Sequence, residues 1–154
     1  MSVNKLKEFL NSNKVKYVTI DHSLAYTAQE IAAAADIPGK ELAKTIIVRI
    51  DGELAMAVLP ASFRVDTELL KKAAGAQKVE IAGEDEFKDL FPGCELGAMP
   101  PFGNLYSLKV FVSRGLADDK EIVFNACSHR ELIRLSYADF EKLVEPTTAN
   151  FSNR

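Results

Sequence analysis

Apolar and polar positions recur along this chain in two rhythms. Near the start, Val3, Leu6, Phe9 and Leu10 fall at helical spacing behind Ser2, a residue suited to cap a helix. "KYVTI" then reads as a strand, and Thr27 with Glu30 forms a capping-box spacing ahead of "IAAAA", a short helix that Pro38-Gly39 ends. The clearest local signal comes next. "KTIIVRI" and "ELAMAVL" flank Asp51-Gly52, which predicts a hairpin with a two-residue turn. That turn sets the register: Ile50 faces Glu53, Val48 faces Ala55, Ile46 faces Ala57 and Lys44 faces Leu59.

Downstream, "DTELLKKAAG" predicts a helix started by Asp66 and stopped by Gly75. "EDEFKDLF" predicts a short helix ended by Pro92-Gly93. "LYSLKVFV", "EIVFNA" and "ELIRL" are strand-like, and "SYADFEKLV" closes as a helix with Ser136 and Asp139 at its start and Pro146 beyond its end. Helices and strands are interleaved without the regular rhythm of a dinucleotide-binding fold, and no repeat or linker divides them. The expectation is one α+β domain over residues 1–154 with several strands in hairpins.

Composition narrows the classes. A chain of 154 residues, 47% apolar and 27% charged, can bury a core and is neither disordered nor a membrane span. The start lacks a long apolar run, so no signal peptide is read and a cytoplasmic protein is expected. A net charge of -3 argues against coating long nucleic acid but is compatible with gripping one RNA end. Cys94 and Cys127 lie far apart with no CxxC partner, which points to reduced thiols and away from zinc. Nothing in the pattern calls for a metal or a cofactor.

Few residues stand out for chemistry. Lys44 shares a strand face with Ile46, Val48 and Ile50, expected to be the more buried face, opposite Thr45, Ile47 and Arg49. An ammonium in phase with a core must pair or lose its charge, unless it snorkels from the strand mouth. "GAMPPFG", residues 97–103, is a stiff loop. Its glycines permit close approach, its prolines remove donors, and the remaining N–H groups can be held in fixed directions to position a carbonyl or an oxyanion. A rigid surface turn is the plainer reading of the same residues. It matches neither GxGxxG nor a P-loop. Cys127 and His129, two apart, would share a strand face as a Cys–His pair, though no third orienting group accompanies them. His22 sits in a loop before a helix cap, and neither Ser128 nor Ser136 has a GxSxG context.

Three stretches resemble the YbaK/ProX family, stand-alone relatives of the editing domain inserted in bacterial prolyl-tRNA synthetases. "ELAKTIIVRIDGELAMAVLPA" is similar to the family's lysine-bearing hairpin. "GAMPPFG" fits its GxxxPxG loop through Gly97, Pro101 and Gly103, and "FNACSHRELIRLSYADFEKLV" is similar to its C-terminal strand and helix. The opening helix and "DHSLAYTAQEIAAAA" fit as well, so the resemblance spans nearly the whole chain.

The resemblance implies a mixed, mostly antiparallel, barrel-like sheet surrounded by helices. It also implies trans-editing: hydrolysis of a wrongly attached small amino acid from the terminal adenosine of a mischarged tRNA, alone or alongside a synthetase. Lys44 would hold a backbone phosphate, and Gly97 would offer its backbone to the ester carbonyl or the water. Ala98, Met99, Pro100, Pro101 and Gly103, with His22, Tyr26 and Thr27, would surround the substrate. Ala55, Ala57 and Ala98 would leave room for a small side chain, with Met56, Leu59, Met99 and Phe102 as walls. Where some family members carry a serine in the strand before the last helix, this chain has Asn125, followed by Ala126 and Cys127; Asn125 and His129 are the candidates for contact there. Two other readings stand beside this one: a non-catalytic module that binds tRNA ends or a synthetase, and a Cys127-dependent hydrolase of small esters.

Overall fold

A computed structural model describes residues 3–21 and 42–153. The helix and cap expected around Thr27 to Pro38 lie outside the described residues. The chain opens with α1 (Val3–Ser12) and β1 (Tyr17–Asp21), then enters the hairpin β2 (Ala43–Ile50) and β3 (Glu53–Pro60). Asp51 and Gly52 both take positive φ, +49° and +89°, the turn geometry that matches strand twist. The pairing is the one that the turn dictates, from Ile50 with Glu53 to Lys44 with Leu59.

After the two-residue strand β4 (Arg64–Val65) comes α2 (Thr67–Ala74). The Asp66 carboxylate accepts from the N–H groups of Glu68 and Leu69, each at 3.0 Å, and Gly75 ends the helix in the left-handed region at φ +63°. β5 (Val79–Ile81) and α3 (Glu84–Phe87) follow. A 3-10 turn at Gly103–Leu105 and a positive φ at Ser107 delay the next strand, so β6 spans only Lys109–Ser113 of the longer expected run. Then come α4 (Arg114–Ala117), β7 (Glu121–Asn125), β8 (Glu131–Ser136), α5 (Tyr137–Val144), β9 (Thr147–Ala149) and β10 (Ser152–Asn153).

The described strands form three hydrogen-bonded sheets, not one closed barrel: β1-β8-β7, β10-β4, and a five-stranded sheet in the order β5-β2-β3-β6-β9. The large sheet is mixed. β2 pairs antiparallel with β3 and β5, while β6 lies parallel to both β3 and β9.

This sheet is covered on both faces. Ala43, Ile47, Met56, Val58, Val110 and Val112 pack into one core with Phe102, Phe124 and Phe140. Val48, Ala55, Ala57, Leu59 and Phe111 face the other way, into a smaller core with Leu70 and Phe151. Period-two alternation therefore sorts residues between two cores here, not between core and solvent. The expectation for Lys44 needs correcting on this point. The more buried face of β2 is that of Ala43, Thr45 and Ile47, and Lys44 lies on the smaller core's face beside Ile46, Val48 and Ile50.

A single parallel bridge, Leu42 with Val123, joins the start of β2 to β7. Two residues further along the two strands stand Lys44 and Asn125. Among the described residues, no helix is long and apolar enough to cross a membrane.

Candidate functional site

The Gly/Pro loop and the residues just before it are fastened to the turn between β7 and β8. Glu95 N–H donates to the Cys127 carbonyl and Cys127 N–H donates to the Ala98 carbonyl, each at 2.9 Å. Ala98 N–H closes back on the Glu95 carbonyl at 3.0 Å, which makes residues 95–98 a tight turn with Gly97 at φ +84°. From Ala98 to Gly103 the loop is buried, while Gly97 itself is exposed. Met99 and Phe102 anchor it in the larger core, where the Phe102 ring meets Phe124 and Phe140 at 5.4 and 5.6 Å. Pro100 and Pro101 carry no N–H, and the Gly97 and Met99 N–H groups take no acceptor among the described residues.

The two motif glycines have different work. A Cβ on Gly103 would stand 2.6 Å from the Leu108 carbonyl oxygen and 2.6 Å from Val110 Cγ2, so a side chain has no room there. Among the described residues a Cβ on Gly97 would meet the His129 ring, Cε1 at 3.5 Å and Nε2 at 3.9 Å, ordinary contacts; its positive φ is what calls for glycine.

Across from Gly97, the β7–β8 turn presents His129, 8% exposed. Its Nε2 lies 2.9 Å from the Leu96 carbonyl oxygen. A carbonyl only accepts, so that nitrogen carries the proton in this contact. His129 N–H donates to Glu95 Oε2 at 3.3 Å, and the same carboxylate oxygen stands 3.8 Å from Nε2. The imidazole is thus built into the shoulder of the loop. Asn125, at the end of β7, is 9% exposed, and its Oδ1 is buried with no hydrogen-bond partner among the described residues. A buried acceptor nearly always has a partner, in protein, water or ligand.

Lys44 is half-buried at the mouth of β2. Burial first, and the Arg64 guanidinium second, hold its ammonium below the usual lysine range. The sign follows: the fold disfavours this charge, so stability contributed here is present above the ordinary lysine pKa and lost as pH falls through the lowered one. An anion at this spot would restore the charge.

The two cysteines correct another expectation. Cys94 and Cys127 are joined in a disulfide, with Cα atoms 4.2 Å apart across a sequence separation of 33. Distance along the chain misled, because the loop and the β7–β8 turn fold onto each other. A bridged Cys127 has no thiolate, which removes the nucleophile from the Cys–His reading.

Of the expected site residues, the structure gathers Gly97, Ala98 and His129 at one junction. The parallel bridge of Leu42 with Val123 lies two residues before Lys44 on one strand and two before Asn125 on the other. Met99, Pro100, Pro101 and Gly103 form the buried body of the loop. His22, Tyr26 and Thr27 lie outside the described residues. The proposed pocket lining divides: Ala55, Ala57 and Leu59 face the smaller core, and Met56, Met99 and Phe102 the larger. Glu95 and Arg64 were missed, and no local spacing marks either. A depression of about 500 Å³ near Lys16, Tyr17 and Arg134 opens at the other end of β8 from the β7–β8 turn, away from these residues.

The comparisons decide the family. The aminoacyl-tRNA editing domain profile matches residues 22–143. This chain belongs to that family. The proline–tRNA ligase of Staphylococcus saprophyticus is 32% identical over 101 residues, 66% of this chain and 18% of the ligase. The ligase of Leuconostoc citreum is 30% identical over 99 residues, 64% of this chain and 17% of that enzyme. The chain therefore spans under a fifth of the length of these relatives. Among solved structures, a hypothetical protein superposes with a TM-score of 0.86 at 22% identity, covering 97% of this chain and 99% of the other. A candidate trans-editing enzyme for prolyl-tRNA synthetase gives 0.82 at 19% identity, covering 99% and 97%. At such identities these two establish the fold, an α+β editing-domain-like architecture.

Proposed function

We propose that the whole chain, residues 1–154, is one editing domain that acts in trans as an aminoacyl-tRNA deacylase. It would cleave the ester between a wrongly attached small amino acid and the terminal adenosine of tRNA. The observation that carries this reading is the exposed Gly97 turn, held at positive φ with its N–H unclaimed among the described residues. Water attacks the ester carbonyl, and negative charge develops on the carbonyl oxygen. An N–H fixed in direction stabilises that oxygen without reorganising, and this effect is commonly worth several kcal/mol, on the order of 3 for one donor. The ester is already activated and carries a vicinal hydroxyl, so alignment can replace a nucleophilic triad.

Lys44 supplies the grip. Its ammonium is disfavoured in the free protein and gains its partner when a phosphate of the RNA end arrives. Asn125 Oδ1, which has no partner among the described residues, accepts a hydrogen bond from the substrate's ammonium or hydroxyl. His129 shapes the approach to Gly97. Editing of this kind complements a synthetase site that separates near-isosteric amino acids poorly.

The test is release of labelled amino acid from a panel of charged and mischarged tRNAs. Wild type cleaves a subset, and Lys44→Ala loses most of that activity, on the order of tenfold or more, while its thermal stability stays within about 0.5 kcal/mol. Binding of charged tRNA with no cleavage of any ester would replace this reading with that of a non-catalytic tRNA-end module.

A further inference from the structure

The Cys94–Cys127 bridge lies where the segment leading into the Gly/Pro loop meets the β7–β8 turn. Cys94 precedes the 95–98 turn by one residue, and Cys127 holds both backbone contacts to it, accepting from Glu95 and donating to Ala98. Cys127 itself takes a positive φ of +67°, a conformation its neighbours must hold in place. Two residues beyond it stands His129, against Gly97. One covalent link thus clamps both sides of the candidate site. With the link cut, two backbone hydrogen bonds and the His129 contacts remain to fix the direction of the Gly97 N–H.

We infer that Cys94 and Cys127 form a thiol–disulfide modification site whose closure sets the Gly97 turn and so raises the rate of the editing reaction. The inference rests on the deacylase reading for its effect on rate, and on geometry alone for its effect on the loop. The oxidant is a low-molecular-weight disulfide. Cys94 is partly exposed and Cys127 is 4% exposed, so Cys94 reacts first. Its thiolate attacks one sulfur of the small disulfide, breaking that S–S bond and releasing one small thiol. The Cys127 thiolate then attacks Cys94 Sγ in the mixed disulfide, forms the protein bridge and expels the second small thiol. Two protein thiols are oxidised, one small disulfide is reduced to two thiols, and the two protons end on those thiols. A dithiol reverses the sequence.

The experiment uses the full chain poised with glutathione disulfide or with dithiothreitol, its thiols counted by mass after alkylation. Two readouts are taken: deacylation of the tRNA ester that wild type cleaves, and amide hydrogen exchange over residues 94–99. The bridged protein turns over about tenfold faster than the reduced one, the scale expected when a positioned donor becomes mobile. Exchange over 94–99 slows on closure, and dithiothreitol reverses both changes. Cys94→Ser and Cys127→Ser stay at the reduced rate whatever the poise. Equal rates in both states, variants that still respond to the oxidant, or two alkylatable thiols after exposure to glutathione disulfide would each overturn the inference. If no state cleaves any ester, the deacylase reading fails; exchange over 94–99 then decides the clamp by itself, and unchanged protection overturns it.

Discussion

The β2–β3 hairpin and the Gly/Pro loop reach definite conformations by opposite routes. In the hairpin, Asp51-Gly52 fixes the turn, alternation fixes the faces, and every pair from Ala43–Pro60 to Ile50–Glu53 follows within 18 consecutive residues. The loop has no such local logic. Its shape depends on Cys127 and His129, some 30 residues further on, and on Phe102 sunk among the larger core's aromatic rings. The difference explains where a site can arise. A hairpin satisfies its own N–H groups, whereas a loop held from outside can leave one or two of them for a ligand.

The largest test of this contrast is removal of the outside hold. The chain-entropy account assigns about 3–4 kcal/mol to a bridge closing 33 residues. Urea unfolding with and without dithiothreitol should show a loss of that order, and Cys94→Ser should match the reduced wild type. A loss under about 1 kcal/mol would mean that packing of Phe102 and Met99 already fixes the loop, making it less dependent on distant partners than the contrast requires.

Legibility in the sequence follows the same division. The hairpin register, the Asp66 cap and the Gly75 stop were readable because each is decided within a turn or two of chain. β4, β5, β9 and β10, each of two or three residues, were not readable; they exist because a partner strand arrives from elsewhere. The parallel pairing of β6 with β3 and β9 is invisible for the same reason. Lys44 was found as an out-of-place cation, but its face was misjudged, since alternation alone does not tell a sheet with one core from a sheet with two. Gly97 and His129 were singled out separately, while their meeting, Glu95 and the cysteine bridge needed the fold to bring them together.

A smaller effect probes the hairpin side. Asp51 Oδ1 accepts from the N–H groups of Gln77 and Lys78 at 3.0 and 2.9 Å, tying the turn to the segment before β5. Asp51→Ala removes the one oxygen that accepts both hydrogen bonds and puts alanine at positive φ, for a loss of about 2 kcal/mol in denaturant unfolding. Cross-strand contacts observed by NMR should nonetheless keep their register, because Gly52 and the alternation still specify it. A register shift in this variant would show that the hairpin, too, is held from outside.

The smallest change in stability carries the sharpest question. Gly97→Ala and Gly75→Ala each place a Cβ at positive φ, +84° and +63°, with no close contact at Gly75 and an ordinary one at Gly97. Each should cost about 1 kcal/mol by unfolding. Their effects on catalysis should diverge. Gly75 ends α2, in a segment that packs with the smaller core, so its variant keeps the wild-type rate of deacylation. Gly97 bears the N–H proposed to meet the ester oxygen, and a shift of its backbone lowers kcat by on the order of tenfold to a hundredfold while KM changes little. Equal rates for the two variants would mean that Gly97 only turns the chain. The Met99 donor, unclaimed among the described residues, would then be the one positioned for the carbonyl.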